Sequence, residues 1–246
     1  MTAETLLYHP DRHIVLEGTQ NLRDLGGYPT KDGKQTKWGK YYRSDSLHLV
    51  TPEGHAFLQA EKGIHTMIDL RLSVEGKYKK KDKARYDFYN IPLIDPATFT
   101  TKKPATLVEM YILMLESSKV KFKEIMDIFL EKRGEPVLFH CRVGKDRTGV
   151  LAALLLDLAG VPRDVIVQDY ALTSVYKEIT EEELHKRPPM MSRSQFKTML
   201  GCEPSYMESF LDYLYKEYGN AAGFLKDVGL TEEEIHLLRA DFVEEV

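Results

Sequence analysis

One segment of eleven residues holds a cysteine, a glycine, an arginine and a threonine at a spacing that suits phosphoryl chemistry. Its sequence is HCRVGKDRTGV, from His140 to Val150. A cysteine thiolate is a strong nucleophile. The planar guanidinium of an arginine can hold two phosphate oxygens at once and is always charged. We therefore predict that Cys141 attacks phosphorus and that Arg147 holds the phosphoryl oxygens.

The sequence on either side places this segment between a strand and a helix. The run PVLFHC, from Pro136 to Cys141, is short and apolar and opens with proline, which is typical of a buried strand. The run TGVLAALLLDLAG, which ends at Gly160, is apolar on every side and predicts a buried helix. The free N–H groups and the dipole at a helix N-terminus attract an anion and favour a thiolate. The segment is therefore expected to supply a nucleophile and an anion site together.

Other residues of the segment are expected to have supporting roles. Gly144 allows the backbone to approach a phosphate closely. Thr148 can donate a hydrogen bond to the sulfur when it leaves as thiolate, and His140 can fix the loop through its ring nitrogens. The residues expected to line the bound phosphate are Arg142, Val143, Gly144, Lys145 and Thr148.

The order of these residues resembles the Cys-x5-Arg signature loop of the protein tyrosine phosphatase superfamily. The Gly-Lys-Asp-Arg core at 144–147 is similar to that of atypical bacterial phosphatases, which are tyrosine or dual-specificity enzymes with added phosphoinositide activity. Leu22 stands where that family usually has phenylalanine, a difference that affects packing. Four further segments recur in that family in the same order: NLRDLGGYPTKDG (21–33), WGKYYRSDSL (38–47), IDLR (68–71) and CEPSYM (202–207).

The resemblance implies a phosphatase that uses neither a metal ion nor a cofactor. Its expected substrates are phosphotyrosine proteins, with phosphoserine, phosphothreonine and phosphoinositides as further possibilities. Each would be hydrolysed through a cysteinyl-phosphate intermediate. The competing class is a phospho-ligand binding module with little or no turnover, in which the loop only holds phosphate.

Two other kinds of loop share single features with this segment. Nucleotide-binding P-loops also contain a Gly-Lys pair, but they need glycine where Phe139 stands and Ser or Thr where Asp146 stands. Rhodanese-like sulfur transferases also keep a cysteine in a loop after a strand. Thr148 and the family segments outside the loop favour phosphate chemistry over sulfur transfer.

The proton donor for the leaving group has two candidates. Asp95 in IPLIDPAT follows a predicted strand and precedes proline, and many tyrosine phosphatases carry their acid at a comparable place. In the atypical bacterial subgroup the aspartate beside the arginine, which is Asp146 here, has that role. We favour Asp146 and keep Asp95 as the alternative. In a purely structural role, Asp146 would stabilise the helix N-terminus and Asp95 would stabilise a turn.

The order of predicted elements indicates an α/β fold in a single phosphatase domain over residues 1–246, with an N-terminal extension over about 1–20. Strands that alternate with helices imply a mainly parallel central sheet flanked by helices, with its site at the carboxyl ends of the strands. Strands are predicted at 64–70 and 86–93. Helices are predicted from Thr51, at 118–132, at 161–176, around 207–215, and after a Thr231–Glu234 capping box.

Asp69 and Arg71 follow or close a predicted strand on the same sheet edge as the cysteine loop. They are expected either to orient the loop and contact substrate, or to form an ion pair at the strand end. Lys145 adds a second cation to the loop, which predicts a second anion on the substrate, such as a neighbouring phosphate on an inositol ring. The alternative is that Lys145 points to solvent and steers anions.

Two segments outside the loop are more ambiguous. The segment at about 176–200 contains HKRPPMMSRSQ, which is polar and broken by proline. It is either a lid over the site or an ordinary connection. A basic run, more typical of a solvated loop than of an anion-binding patch, comprises Lys77, Lys79, Lys80, Lys81 and Lys83.

Composition argues against several other classes of protein. The chain has 34 basic and 38 acidic residues and a net charge of −4, which disfavours general nucleic-acid binding. Its two cysteines, Cys141 and Cys202, are in no metal-ligand spacing, so neither a disulfide framework nor a zinc site is expected. The sequence shows no signal peptide and no apolar run of about 18 residues. We expect a cytoplasmic protein without integral membrane association, with leaderless secretion and the oligomeric state left open.

Overall fold

The central sheet brings the carboxyl ends of four parallel strands to one edge. The computed structural model describes residues 9–76, 83–187, 189 and 191–246. The strands are β1 (Arg23–Asp24), β2 (Gln35–Thr36), β3 (Tyr41–Ser44), β4 (Thr66–Asp69), β5 (Asp87–Asn90), β6 (Val137–His140) and β7 (Val243–Glu244). The sheet has the order β1-β3-β6-β4-β5, and only β1 runs antiparallel to its neighbour within it. A separate antiparallel pair joins β2 to β7. The predicted α/β class with a mainly parallel sheet is confirmed.

Helices follow most of the strands. In the described part of the chain they are α1 (Pro52–Ala60), α2 (Pro96–Lys102), α3 (Leu107–Ser117), α4 (Lys119–Glu131), α5 (Asp146–Ala159), α6 (Arg163–Tyr176), α7 (Glu181–His185), α8 (Arg193–Leu200), α9 (Pro204–Tyr218), α10 (Ala221–Asp227) and α11 (Glu232–Phe242). Short 3-10 turns lie at Leu47–Leu49 and Ser73–Glu75. No helix among the described residues has the length and apolar character that a bilayer crossing requires.

Local sequence signals explain where several helices begin. Thr51 caps α1 by accepting a hydrogen bond from Gly54 N–H, and Pro52 occupies the first helical position. The Thr231–Glu234 capping box is present at the start of α11. The helix after the cysteine loop begins at Asp146 instead of the predicted Thr148. An acidic residue in the first turn is favourable because it interacts with the helix dipole.

Five helices, α2, α3, α7, α8 and α10, were not predicted from the sequence. The short helices α7 and α8 lie in the polar 176–200 segment, for which the sequence indicated a lid or an ordinary connection. The segment of α2 is PATFTTK, whose β-branched threonines disfavour a helix, but Asp95 caps it with its side chain. The segment of α3 is LVEMYILMLES, which is apolar on so much of its circumference that no clear helical stripe stands out. The short α10 depends on a cap from Asn220, which accepts from Gly223 N–H.

Alternate residues of the strands enter two hydrophobic cores on opposite faces of the sheet. Tyr41, Ile68 and Phe139 belong to the larger core, which also contains buried side chains of α3 to α6 and α9 to α11. Their neighbours Tyr42, Met67 and Leu138 belong to a smaller core that α1 and the N-terminal segment cover. Both faces of the sheet are therefore covered, as the sequence pattern predicted.

The strand register aligns four side-chain positions at the carboxyl edge. His140, the last residue of β6, is in register with Ser44 of β3 on one side and Asp69 of β4 on the other. Asp69 is in turn in register with Asn90 of β5. Because Cys141 directly follows this row, the cysteine loop begins at the centre of the carboxyl edge of the sheet.

Candidate active site

Three successive carbonyl groups of the cysteine loop are bonded to the N-terminal part of the chain. The donor and acceptor pairs are Ser46 N–H to Arg142 O (3.2 Å), Asn21 Nδ2 to Val143 O (2.9 Å) and Arg43 Nη2 to Gly144 O (2.8 Å). The carbonyl and the N–H of a trans peptide point in opposite directions. Holding the carbonyls on one side therefore directs the N–H groups that follow them to the other side, where an anion can accept their hydrogen bonds.

Cys141 is buried inside this loop, with 2% of its surface exposed. Gly144 N–H donates to its Sγ atom at 3.3 Å, a contact that stabilises negative charge on sulfur. Gly144 has a φ of 74°, and a Cβ atom there would lie 2.6 Å from the Ser44 carbonyl oxygen. Glycine is therefore required at this position both by the backbone conformation and by the close approach of β3.

Arg147 lies in the first turn of α5, and a carboxylate holds its guanidinium. Its Nη1 atom donates to Glu75 Oε2 at 2.7 Å, and its Nη2 atom donates to Glu75 Oε1 at 3.1 Å. Burial opposes the charge on Arg147, but negative charge at Cys141 and the Glu75 pair raise the guanidinium pKa above its usual range. Burial likewise opposes ionisation of Glu75, yet the hydrogen bonds from Arg147 hold that carboxyl pKa below its usual value. Both groups are therefore charged.

A buried network of charged side chains supports the cysteine loop. Asp169 of α6 accepts hydrogen bonds from Arg23 Nε at 3.0 Å, from Arg43 Nη1 at 2.5 Å and from the Tyr28 hydroxyl at 2.9 Å. Burial opposes ionisation of Asp169, but the two arginines hold its pKa well below the usual range. Since the other terminal nitrogen of Arg43 holds the Gly144 carbonyl, Asp169 and the loop are connected through a single guanidinium.

Asp146 stands at the start of α5 with 27% of its side chain exposed. The Tyr111 hydroxyl donates to its Oδ1 atom at 2.6 Å. The ammonium group of Lys145 lies 3.4 Å from the same oxygen. That ammonium group also donates to the Met199 carbonyl at 2.7 Å and to the Gly201 carbonyl at 3.0 Å. Lys145 is buried and bonded to the end of α8 here, while Asp146 faces a cavity.

Asp95 occupies a different place. Its carboxylate is exposed and caps α2 by accepting from the N–H groups of Ala97 (3.2 Å) and Thr98 (3.1 Å). The Thr98 hydroxyl also donates to it, and these hydrogen bonds lower the pKa of the Asp95 carboxyl. No hydrogen bond or ion pair connects it to the cysteine loop within the described ranges.

The supporting residues lie around the loop. The Nδ1 atom of buried His140 donates to the Cys141 carbonyl at 3.0 Å, and its Nε2 atom is 3.9 Å from Asp69 Oδ1. Burial lowers the pKa of His140. Arg71 pairs with Asp69 through Nε (2.9 Å) and Nη2 (2.8 Å), so these two residues contact each other at the strand end. The Thr148 hydroxyl is buried and has no hydrogen-bond partner among the described residues.

A cavity of about 510 Å³ opens beside the loop on the side of Asp146. Its apolar walls come from α3 and from the 176–200 segment, and three lysines and polar groups of α6 also line it. Its lining includes Leu107, Met110, Val143, Ile179, Lys177, Lys197, Met199 and Leu200. The 176–200 segment, which contains the short helices α7 and α8, thus borders the site. Residues 77–82, with most of the predicted basic run, lie outside the described residues.

Several site residues were not identified from the sequence alone. Glu75, Tyr111, Asp169, Asn21 and Arg43 join the loop through contacts between residues far apart in the chain. Asn21 and Arg43 fall in the family segments NLRDLGGYPTKDG and WGKYYRSDSL, which was a signal for their importance but not for their task. Within the described ranges, no three His, Cys, Asp or Glu side chains cluster as a metal site requires.

Comparison with known proteins indicates the same chemistry as the geometry of the cysteine loop. The tyrosine phosphatase family matches it over residues 14–244. A tyrosine-protein phosphatase of Nostoc commune is 33% identical over 214 residues, covering 81% of this chain and 72% of that protein. A putative tyrosine-protein phosphatase of Cupriavidus necator is 25% identical over 249 residues, covering 94% and 89%. A triple specificity protein phosphatase of Mycobacterium tuberculosis is 29% identical over 119 residues, covering 43% of each chain. This chain belongs to the tyrosine phosphatase family and is a phosphatase of the protein tyrosine phosphatase type.

Proposed function

We propose that this phosphatase hydrolyses phosphotyrosine monoesters in two steps through a cysteinyl-phosphate, without a metal ion. The observation that carries the proposal is the loop itself. Cys141 Sγ accepts a hydrogen bond from Gly144 N–H, and the loop carbonyls are bonded on the opposite side. Such a loop leaves its N–H groups for the equatorial oxygens of a phosphoryl group, which is where charge is stabilised in the transition state.

In the first step the Cys141 sulfur attacks phosphorus. The S–P bond forms while the P–O bond to the leaving group breaks, and Asp146 gives its proton to the departing oxygen. In the second step a water oxygen attacks phosphorus, Asp146 takes a proton from that water, and the S–P bond breaks to release inorganic phosphate. We assign to the Thr148 hydroxyl, which has no hydrogen-bond partner among the described residues, the hydrogen bond to the departing sulfur. Arg147 holds two phosphoryl oxygens throughout.

Asp146 is favoured over Asp95 as the proton donor for two reasons. Asp146 lies in the loop, borders the cavity and is part-exposed. The Asp95 carboxylate accepts three hydrogen bonds in a helix cap, and these favour its ionised form. We expect Asp146→Asn to slow hydrolysis of poor leaving groups such as alkyl phosphates far more than that of activated aryl phosphates. Asp95→Asn should have little effect. The reverse pattern would transfer the role to Asp95.

The cavity beside Asp146 is the proposed site for the leaving group. An aromatic ring suits its apolar walls, which favours tyrosine over serine or threonine as the phosphorylated residue. One relative is named as a triple specificity protein phosphatase, which supports a range of more than one substrate class. We therefore keep phosphoserine, phosphothreonine and phosphoinositides as further proposed substrates. Because a catalytic thiol requires reducing conditions, we also propose a cytoplasmic location.

The decisive experiment separates an enzyme from a module that only binds phosphate. Turnover of an aryl phosphate is expected for the unaltered chain and should be lost in Cys141→Ser, while Cys202→Ser leaves turnover nearly unchanged. A side-by-side panel of phosphopeptides and phosphoinositides then ranks the substrates. Phosphate binding without any turnover would support the binding module instead.

A further inference from the structure

The carboxylate of Asp146 is held asymmetrically. In the described part of the chain both of its side-chain contacts fall on Oδ1, where Tyr111 donates at 2.6 Å and Lys145 lies at 3.4 Å. The other oxygen, Oδ2, has no hydrogen-bond partner among those residues. An acid that transfers its proton through a single oxygen benefits from this arrangement, because one oxygen is occupied and the other is left to carry the proton.

Tyr111 is itself held in one orientation. It is fully buried, and its ring packs edge-on against Tyr170 of α6 and Phe210 of α9, with ring centroids 6.3 and 6.4 Å away. Its hydroxyl oxygen is 2.7 Å from the Tyr170 hydroxyl. A phenol has one proton to donate. Since the Tyr111 proton is directed to Asp146, the Tyr170 hydroxyl must donate to Tyr111, which gives the direction Tyr170 to Tyr111 to Asp146.

Both phenols remain protonated over the working pH range. Burial first, and the charge of Asp146 second, raise the pKa of Tyr111 well above its usual value. Burial also raises the pKa of Tyr170 far above its usual value. The donor that faces Asp146 is therefore present at every pH at which the enzyme is assayed.

We propose that Tyr111, with Tyr170 behind it, is a positioning residue that fixes Oδ1 of Asp146 and presents Oδ2 to the leaving oxygen. This inference rests on the proposed role of Asp146 as the proton donor. Tyr111 touches neither phosphate nor leaving group in this arrangement. It acts through the orientation of the carboxyl group.

The fixed orientation gives the proposal a consequence that can be measured. Without the Tyr111 hydroxyl the Asp146 carboxyl group loses the donor that holds Oδ1. Proton transfer to a poor leaving group should then become slower, because that transfer needs an oriented acid.

The test compares Tyr111→Phe and Tyr170→Phe with Tyr215→Phe. Tyr215 is a matched control because its hydroxyl donates at 2.8 Å to Asp157, another carboxylate of α5 that lies outside the site. Both kcat and KM are recorded with an alkyl phosphate and with an activated aryl phosphate, so that a loss specific to proton transfer is separated from a general loss of activity.

Tyr111→Phe should lose about tenfold in kcat with the alkyl phosphate and little with the aryl phosphate, a fraction of the full effect of a general acid. Tyr170→Phe should show the same dependence on the leaving group with a smaller loss, and it provides the test if Tyr111→Phe folds poorly. Tyr215→Phe should reproduce the parent kcat with both substrates. Adding Tyr111→Phe to Asp146→Asn should cause no further loss that depends on the leaving group.

Two failures are distinguishable. If Asp146→Asn shows no dependence on the leaving group, the acid assignment fails and the role of Tyr111 fails with it. If Asp146→Asn shows that dependence but Tyr111→Phe and Tyr170→Phe leave the alkyl phosphate rate unchanged, or slow both substrates equally, the positioning role alone is overturned.

Discussion

The guanidinium of Arg147 is held in a fixed orientation before substrate binds. Glu75 holds both terminal nitrogens, so the side chain is fixed by a carboxylate from a 3-10 turn after β4. A preorganised charge needs no reorientation when the phosphoryl group reaches its transition state. The carboxylate also keeps the planar guanidinium in one orientation. The ammonium group of a lysine has no planar fork that a carboxylate could hold in this way.

Arg147→Lys tests this arrangement at the scale of one residue. Lysine keeps the positive charge but loses the planar fork that matches both Glu75 and two phosphoryl oxygens. We expect kcat for an aryl phosphate to fall by about 10²–10³-fold or more. Steady-state kinetics measure kcat. The surface variant Glu124→Gln is the control for effects of substitution and purification. A kcat within a few-fold of the parent would mean that charge alone is sufficient.

The side chain of Lys145 joins the cysteine loop to the segment between α6 and α9. Lys145 donates to two carbonyl groups, one in the last turn of α8 and one just beyond it. From the sequence, this ammonium group was predicted to meet a second anion on the substrate, and that role stays a prediction. The contacts found indicate a different task, which is to hold the 176–200 segment against the loop.

Lys145→Ala is therefore expected to loosen the 176–200 segment. Hydrogen exchange of the backbone at 193–201 should become faster, because two carbonyl groups at the end of α8 lose their donor. Exchange in the β6 strand should stay as in the parent. Assays of a phosphopeptide and a phosphoinositide on the same variant show whether the loss is selective. A selective loss of lipid activity with unchanged exchange would favour the second-anion role instead.

At the scale of the whole molecule, Asp169 joins the N-terminal segment, β3 and α6. Its carboxylate lies among two buried arginines and a tyrosine, and removing it would leave two buried positive charges without compensation. Breaking such a pair is strongly destabilising. The same change would release Arg43 from its position under the Gly144 carbonyl, so stability and catalysis are coupled here.

Asp169→Asn should lower the free energy of unfolding by about 3–5 kcal/mol, measured by urea denaturation at neutral pH. The pKa of Asp169 is depressed in the folded state. Its contribution is therefore present above the unfolded pKa of about 3.9 and is lost as the pH falls through the lower folded value. The variant should accordingly approach the parent in stability at strongly acid pH. A constant difference across the acid range would contradict this assignment.

The helices and strands that have local sequence signals were predicted. The side-chain contacts between residues far apart in the chain were missed. The strand into Cys141, the helix after it and the capped starts of α1 and α11 follow from apolar runs, proline and capping residues. The Glu75 clamp and the Tyr111 contact have no local signal, since each joins residues separated by tens of positions. Asp69 and Arg71 were predicted at the correct sheet edge, but only the structure shows that they pair with each other.

The central claim is that phosphate is transferred to Cys141. Rapid acid quenching during turnover of an aryl phosphate, followed by peptide mass spectrometry, tests it most directly. We predict that one phosphoryl group is found on the peptide containing Cys141 at the sulfur. It should accumulate further in Asp146→Asn with an activated substrate, because the second step then lacks its base, and it should be absent in Cys141→Ser. Sustained turnover by Cys141→Ser, or a phosphoryl group trapped on another side chain, would contradict the account.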